Sequence, residues 1–254
     1  MEEDTRTRGC LHFTLWGIHT TIYPSSWLAL LVLGSSLYTP GNSIRPLLVF
    51  ITFGMLCLLM HEYGHALMHR LLTGGSASIR IAALGGKAHL DSAPCSRKQI
   101  LLIALAGPGA SILLGLLGGL ALGIWIGNPL AGLSISCLLP FFSIPGVTDW
   151  LLPHLYPLLK AYQIGSITPE AVSYFEILFS VTMWWSAFNL LPMMPTDGAR
   201  VLLCLTRNVR VTTLVGMVIA GGLILLSLLR SEIFLALICG FLLHYNYRIF
   251  KQTL

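Results

Sequence analysis

The sequence predicts an all-α, polytopic membrane protein with about six transmembrane helices and a short β-hairpin or edge-strand element between the second and third spans. Of its 254 residues, 55% are hydrophobic and only 10% are charged, whereas soluble domains carry about 25% charged residues. The apolar residues lie in long runs, which is typical of membrane-spanning helices. Because the length leaves no room for a large soluble domain beside such a bundle, residues 1–254 are expected to form a single membrane-embedded domain.

Six apolar runs define the predicted spans. They are Trp27–Tyr38, Pro46–Leu72, Ile100–Ile126, residues 173–195, Val211–Leu229 and Ile233–Tyr247. The segment between the third and fourth runs, residues 128–169, is apolar but is interrupted by prolines, among them Pro129 and Pro140. We expect this segment to be extracytoplasmic, interfacial or re-entrant, or to contain two further short crossings.

The lysines and arginines predict the orientation of these spans. With the N-terminus in the cytoplasm, twelve of them fall on the cytoplasmic side: Arg6, Arg8, Arg70, Arg80, Lys87, Arg97, Lys98, Arg200, Arg207, Arg210, Arg248 and Lys251. The other three, Arg45, Lys160 and Arg230, fall outside. This split follows the positive-inside rule and places both termini in the cytoplasm. The net charge of +5 is then explained without nucleic acid as a partner.

The stretch HEYGH, residues 61–65, places a glutamate and two histidines in an otherwise apolar helix. His61 and His65 are four residues apart, so both project from the same helix face. This spacing suits two imidazoles on one zinc ion, and Glu62 beside them can act as a general base toward water. An acidic side chain at the centre of a bilayer costs roughly 2.5–3.5 kcal/mol on insertion scales, so an ionisable group there indicates function.

Two histidines leave a catalytic zinc site one protein ligand short. His69 is the local candidate, but it lies at the inner end of the helix, where an interfacial role is favoured. Asp197, in NLLPMMPTDGAR, is preferred because it follows the fourth run at a depth similar to that of His65. Two prolines break the helix before it, and irregular backbone at membrane depth must be buried in protein or line a wet cavity. Glu176 lies near the opposite end of that run.

The third apolar run carries small residues at a strict four-residue step. They are Gly107, Ser111, Gly115, Gly119 and Gly123. Such a row lies on one helix face and allows a neighbouring backbone to approach closely. We therefore expect it to serve helix packing rather than catalysis.

These motifs resemble those of the site-2 protease family of intramembrane zinc metalloproteases. HEYGH matches the family's HExxH, and NLLPMMPTDG matches its N-x-x-P-x-x-x-x-D-G motif. The residues that carry the second match are Asn189, Pro192, Asp197 and Gly198. GIHTTIYPSSWLALL is similar to the strand that leads into the first span, and IRIAALGGKAHL is similar to the β-hairpin after the second. LAGPGAS resembles the A-G-P-x-x-N segment, with Ser111 where the family usually has Asn.

The resemblance implies cleavage of a peptide bond in or near the transmembrane segment of a membrane-protein substrate, as a step of regulated proteolysis. It also implies one zinc ion held by His61, His65 and Asp197, with Glu62 as the base. Asn189 would hold the substrate or its polarised carbonyl. Many relatives carry an appended PDZ or CBS domain. Only seven residues follow Tyr247, so a minimal core is expected, regulated by a membrane partner or by residues 128–169.

The hairpin region also predicts a way to bind substrate. SIRIA, residues 78–82, alternates apolar and polar residues, and Gly85-Gly86 supplies a turn. A helical substrate must unwind before cleavage, and an unwound segment could pair with this edge strand. A hairpin that merely closes the fold is the equally favoured alternative.

Other functions fit the sequence less well. A non-catalytic zinc-binding membrane protein or a metal transporter is the main alternative, but a transporter should carry ionisable residues through the depth of the bilayer. Membrane proteases with HExxH that cleave prenylated C-termini usually take a distal glutamate as third ligand, and no well-placed glutamate is present. Rhomboid-type serine chemistry would require a paired serine and histidine motif.

Overall fold

The computed structural model describes residues 9–38, 41, 43–83, 85–91, 94–143, 153 and 168–253. Its first half contains strands β1 (Leu11–Leu15) and β2 (Ile18–Ile22), helices α1 (Pro24–Leu33) and α2 (Arg45–Thr73), and strands β3 (Ala77–Ala82) and β4 (Gly85–Leu90). Its second half contains helices α3 (Arg97–Trp125), α4 (Pro129–Leu138), α5 (Pro169–Leu190), α6 (Asp197–Thr206), α7 (Val209–Leu229) and α8 (Ile233–Gln252).

Within the described residues, four helices are long and apolar enough to cross a membrane: α2, α3, α7 and α8. The predicted first span is shorter than expected, because α1 has only 10 residues. At 1.5 Å per residue it rises about 15 Å, half of a hydrocarbon core of roughly 30 Å. Helix α5, with 22 residues, is long enough to cross a membrane. It is not one of the four because its composition is not apolar enough. A mostly helical protein with several apolar spans is therefore confirmed, and the count of six is not.

The segment 128–169 is helical in its described part. Helix α4 begins at a capped position, where the Ala131 N–H donates to the Asn128 side chain over 3.0 Å. It packs so closely on α3 that a Cβ at Gly132 would lie 2.2 Å from the carbonyl oxygen of Gly119. Residues 144–152 and 154–167 lie outside the described part, so the extracytoplasmic or re-entrant path of the whole segment stays a prediction.

The row of small residues on α3 is buried along its length. A Cβ at Gly115 would lie 2.5 Å from Thr182 Oγ1 of α5, and one at Gly119 would lie 2.4 Å from Ser136 Oγ of α4. The predicted role in helix packing is thus confirmed for this part of the row. The row's first two members, Gly107 and Ser111, instead face the histidines of α2.

A four-stranded sheet covers the half of α2 that carries HEYGH. Its order is β1-β2-β3-β4, with β2 and β3 parallel and the other two pairs antiparallel. Alternate residues such as Ile79 and Ile81 are buried in a core shared with α2, so the period of two in SIRIA reflects one face that packs on the helix. Across this interface the Thr20 and Tyr63 hydroxyls lie 2.7 Å apart.

The hairpin between α2 and α3 is confirmed, but two of its predicted details are wrong. Strand β3, which contains SIRIA, is interior because β2 pairs with it, and the edge strand of this hairpin is β4. Ala82 and Gly85 pair with each other, so Gly85 and Gly86 already belong to β4 rather than to the turn. Position 86 requires a glycine for another reason: a Cβ there would lie 2.3 Å from Cγ of Glu62.

Candidate metal centre

His61, His65 and Asp197 converge on one point. The Nε2 atoms of His61 and His65 lie 3.0 and 3.1 Å from Oδ2 of Asp197, and 3.2 Å from each other. All three residues are at most 5% exposed. The two histidines project from one face of α2, and the aspartate is the first residue of α6. This group, called the ligand group here, could hold a metal ion.

The outer hydrogen bonds of the histidines favour a cation at this point. Nδ1 of His65 lies 2.7 Å from the carbonyl oxygen of Ile103. A carbonyl only accepts, so Nδ1 carries the proton and Nε2 presents its lone pair. Ser111 Oγ, at 3.3 Å, can accept from Nδ1 of His61 in the same way. Two lone pairs and a carboxylate then face one another away from water, which is unfavourable unless a cation lies between them.

The Asp197 carboxylate is oriented by its surroundings. Its Oδ1 lies 3.4 Å from Nη1 of Arg200, which leaves Oδ2 to the histidines. The start of α6 packs tightly on the end of α5, because a Cβ at Gly198 would lie only 2.1 Å from the carbonyl oxygen of Leu190. The glycine of the D-G pair therefore permits the approach that brings Asp197 to α2.

His69, the alternative third ligand, does not join the ligand group. Its Nε2 lies 2.8 Å from Oδ1 of Asp91, and the residue is only 1% exposed. His69 is thus buried against Asp91, and its position at the membrane interface stays a prediction. Glu176 is exposed on α5 and is also not part of the group.

Glu62 lies beside the ligand group on a different face of α2. Consecutive helical residues are rotated by about 100°, so its side chain points toward β4 when those of His61 and His65 point toward Asp197. Its carboxylate accepts a hydrogen bond from the backbone N–H of Ala88 in β4. The residue is buried and interacts electrostatically with all three members of the ligand group. This is a suitable place for a base that acts on a molecule bound next to it.

Three further contacts of the histidines were not predicted from the sequence. Ser111 contacts His61, and a Cβ at Gly107 would lie 2.2 Å from Nε2 of His65. The indole of Trp185 meets His61 edge-on, with ring centroids 6.4 Å apart. The sequence identified Gly107 and Ser111 as members of the small-residue row. It did not indicate that these two contact the histidines whereas the others serve helix packing. For Trp185 we find no sequence signal.

Asn189 lies near the C-terminal end of α5 and is half-buried. Its Nδ2 donates to the carbonyl oxygen of Trp185, one turn earlier in the same helix, over 2.9 Å. In the described part of the chain this is its one side-chain hydrogen bond, and it does not reach the ligand group. A substrate-binding role for Asn189 therefore stays a prediction.

A buried group of two histidines and one carboxylate, with a glutamate next to the first histidine on a membrane helix, defines a membrane-embedded metalloprotease. The chain belongs to peptidase family M50, whose family model matches residues 49–229. That range includes the HEYGH helix, the small-residue row and Asp197. The chain is accordingly a hydrolase of the metalloprotease class that works in a lipid environment on membrane substrates.

The overall fold also has a counterpart among the solved structures. The fold is similar to that of "Site-2 Protease from Methanocaldococcus jannaschii", with a TM-score of 0.56, 21% sequence identity and coverage of 95% of each chain. No curated protein sequence matches the chain. Together with the family match, this similarity confirms the resemblance to the site-2 protease family.

Proposed function

We propose that the chain is an intramembrane zinc endopeptidase that hydrolyses a peptide bond in or near the transmembrane segment of a membrane-protein substrate. The observation that carries the proposal is the convergence of His61, His65 and Asp197 beside Glu62 in a buried site. Two imidazoles and one carboxylate are a zinc donor set that leaves a fourth position open. Family membership favours this function over a metal transporter or a non-catalytic zinc protein.

The metal and the side chains around the ligand group would each have a separate role in the reaction. A bound zinc ion would polarise the scissile carbonyl and lower the pKa of water to about 7. Glu62, held by the Ala88 N–H, accepts a proton from the attacking water and returns it to the leaving amine. One N–H of the Asn189 amide is used by Trp185, and the other is available to hold the substrate carbonyl.

Strand β4 supports a mode of substrate binding. One edge of β4 pairs with β3, and its other edge faces Glu62, which lies against Gly86 and takes up the N–H of Ala88. The other backbone groups of this edge have no strand partner among the described residues. An unwound substrate segment that adds to β4 as a further strand would lie across the base and the ligand group. We therefore propose β4, rather than β3, as the strand to which the substrate adds.

The proposed setting is a cell membrane, with the N-terminus and the C-terminus in the cytoplasm. The distribution of lysine and arginine supports this orientation. The partners are then the lipid bilayer, a transmembrane protein substrate and a regulatory membrane partner that controls cleavage. Regulated proteolysis is the biological role that this arrangement serves best.

Cysteine accessibility on intact cells tests the orientation. In a variant whose six native cysteines are replaced by serine, Ser78→Cys in β3 should not react with an impermeant thiol reagent added outside. Ser231→Cys, in the exposed α7–α8 connection, is the matched control and should react. Labelling at position 78 without labelling at position 231 would reverse the proposed topology.

Metal removal tests the function itself. The purified protein should contain one zinc ion and should cleave a generic transmembrane substrate. Chelation should abolish both the metal content and the cleavage, and added zinc should restore both, because the metal would polarise the carbonyl and activate the attacking water. Cleavage that persists in metal-free protein would refute the proposal.

A further inference from the structure

Helix α8 binds the connection that immediately precedes Asp197. Residues 191–196 join α5 to α6, and two of them are prolines, which have no N–H. The N–H groups of Leu191, Met193 and Thr196 donate to carbonyl groups of Phe188, Leu191 and Met193, respectively. Met194 is different, because its N–H donates to Oδ1 of Asn246 in α8 over 3.1 Å. Every N–H of the connection is therefore satisfied, and Asn246 is the partner that comes from elsewhere in the chain.

Asn246 binds Met194 with both ends of its amide. Its Nδ2 donates to the Met194 carbonyl over 3.0 Å and to the Leu242 carbonyl of its own helix over 2.8 Å. The residue is completely buried. Space for it depends on Gly216 of α7, since a Cβ at that position would lie 2.4 Å from Oδ1 of Asn246 and 3.2 Å from Cα of Met193. Helices α7 and α8 together thus fix the backbone three residues before the aspartate.

A role in helix packing alone does not account for these bonds. A buried polar side chain in an apolar helix can satisfy its donor on a carbonyl of its own helix, as Nδ2 does on Leu242. The other two bonds of Asn246 both go to the backbone of one residue of the connection, Met194. Without them the N–H and C=O of Met194 would remain unpaired in an apolar surrounding, so the connection would rearrange.

We propose that Asn246 is a positioning residue that sets the place of the Asp197 carboxylate relative to His61 and His65, and thereby the metal affinity of the site. The inference rests on the proposed function, in which these three residues hold zinc. It gives α8 a role in the site, although α8 lies beyond residues 49–229, which carry the family match.

Metal titration of the purified, folded protein tests this inference. Asn246→Ala should bind zinc and cobalt about 10–100-fold more weakly than the wild type, the loss typical when the support of a ligand is removed. The visible spectrum of bound cobalt should also change, because the position of the carboxylate changes. Cys239→Ala is the matched control: it truncates a buried side chain two turns earlier on α8, outside the core cluster that contains Met193, and should keep both affinity and spectrum.

A pair of glycine variants in α7 tests the same contact from its other side. Gly216→Ala should weaken metal binding because its Cβ would displace Asn246 and Met193. Gly221→Ala adds the same methyl group to the same helix where nothing lies within 4 Å, and should bind metal normally. Wild-type affinity in both Asn246→Ala and Gly216→Ala would overturn the inference.

Hydrogen exchange separates this inference from the proposed function. In metal-free protein, the amides of the non-proline residues between positions 191 and 198 should exchange faster in Asn246→Ala than in Cys239→Ala or the wild type. Equal exchange would show that Asn246 does not hold the connection and would overturn the inference. Failure of the wild type to bind metal would count against the proposed function, and the exchange comparison would still decide the role of Asn246.

Discussion

Replacing Glu62 by glutamine is expected to lower the rate of peptide cleavage at least about 10²–10⁴-fold while the metal remains bound. General acid–base catalysis commonly contributes a factor of this size. Glutamine has nearly the same volume, and its side-chain oxygen can still accept the hydrogen bond from the Ala88 N–H, so the position beside β4 is preserved. What it lacks is a group that accepts a proton from water.

Metal content by elemental analysis and cleavage by gel should be measured on the same preparations of Glu62→Gln. Glu176→Gln is the control, because Glu176 is exposed on α5, and it should match the wild type in both measurements. Cleavage at the wild-type rate in Glu62→Gln would remove the proposed mechanism. Loss of the metal from this variant would instead make Glu62 a ligand or a structural support.

Replacing Asp197 by alanine is expected to abolish both stoichiometric zinc binding and cleavage. The substitution removes one of three protein ligands. It also leaves the Nε2 lone pairs of His61 and His65, which lie 3.2 Å apart, without the carboxylate that offsets the charge of a cation. His61→Ala should lose zinc and activity in the same way, and this distinguishes a ligand from the base Glu62.

The matched control for the ligand variants is Glu176→Ala, which removes a carboxylate of α5 that does not belong to the ligand group. It should retain one zinc ion after dialysis against a weak chelator, whereas Asp197→Ala should retain none. Unfolding measurements on both variants identify any loss of metal that is secondary to unfolding. If folded Asp197→Ala keeps one equivalent of zinc, Asp197 is not the third ligand, and His69 becomes the next residue to replace.

The local parts of the site could be predicted because they depend on helical periodicity alone. His61 and His65 share a face in any α-helix, and Glu62 is rotated away from both. Asp197 is separated from His61 by 136 positions, and periodicity has no bearing on such a distance. It could be chosen because few acidic residues occur in this apolar chain, and only Asp197 follows a broken helix at a suitable depth.

The sheet shows where prediction from local pattern failed. The alternation in SIRIA predicted a strand correctly, but an alternating pattern is the same for an edge strand and for an interior strand with one buried face. Its position inside the sheet depends on β2, a strand more than fifty residues earlier that pairs with it in parallel. Among the described strands, the edge beside Glu62 therefore belongs to β4, a strand that begins with two glycines.

The sequence by itself determined the class of this protein: a helical membrane protein with a metalloprotease motif, since apolar run length and the spacing of HEYGH act over a few helical turns. Only the tertiary structure decided which groups surround that motif. Gly107 and Ser111 contact the histidines, the Ala88 N–H holds Glu62, and Asn246 holds the connection before Asp197. These contacts join residues far apart in the chain, and they depend on how helices and strands pack, which no short stretch of sequence encodes.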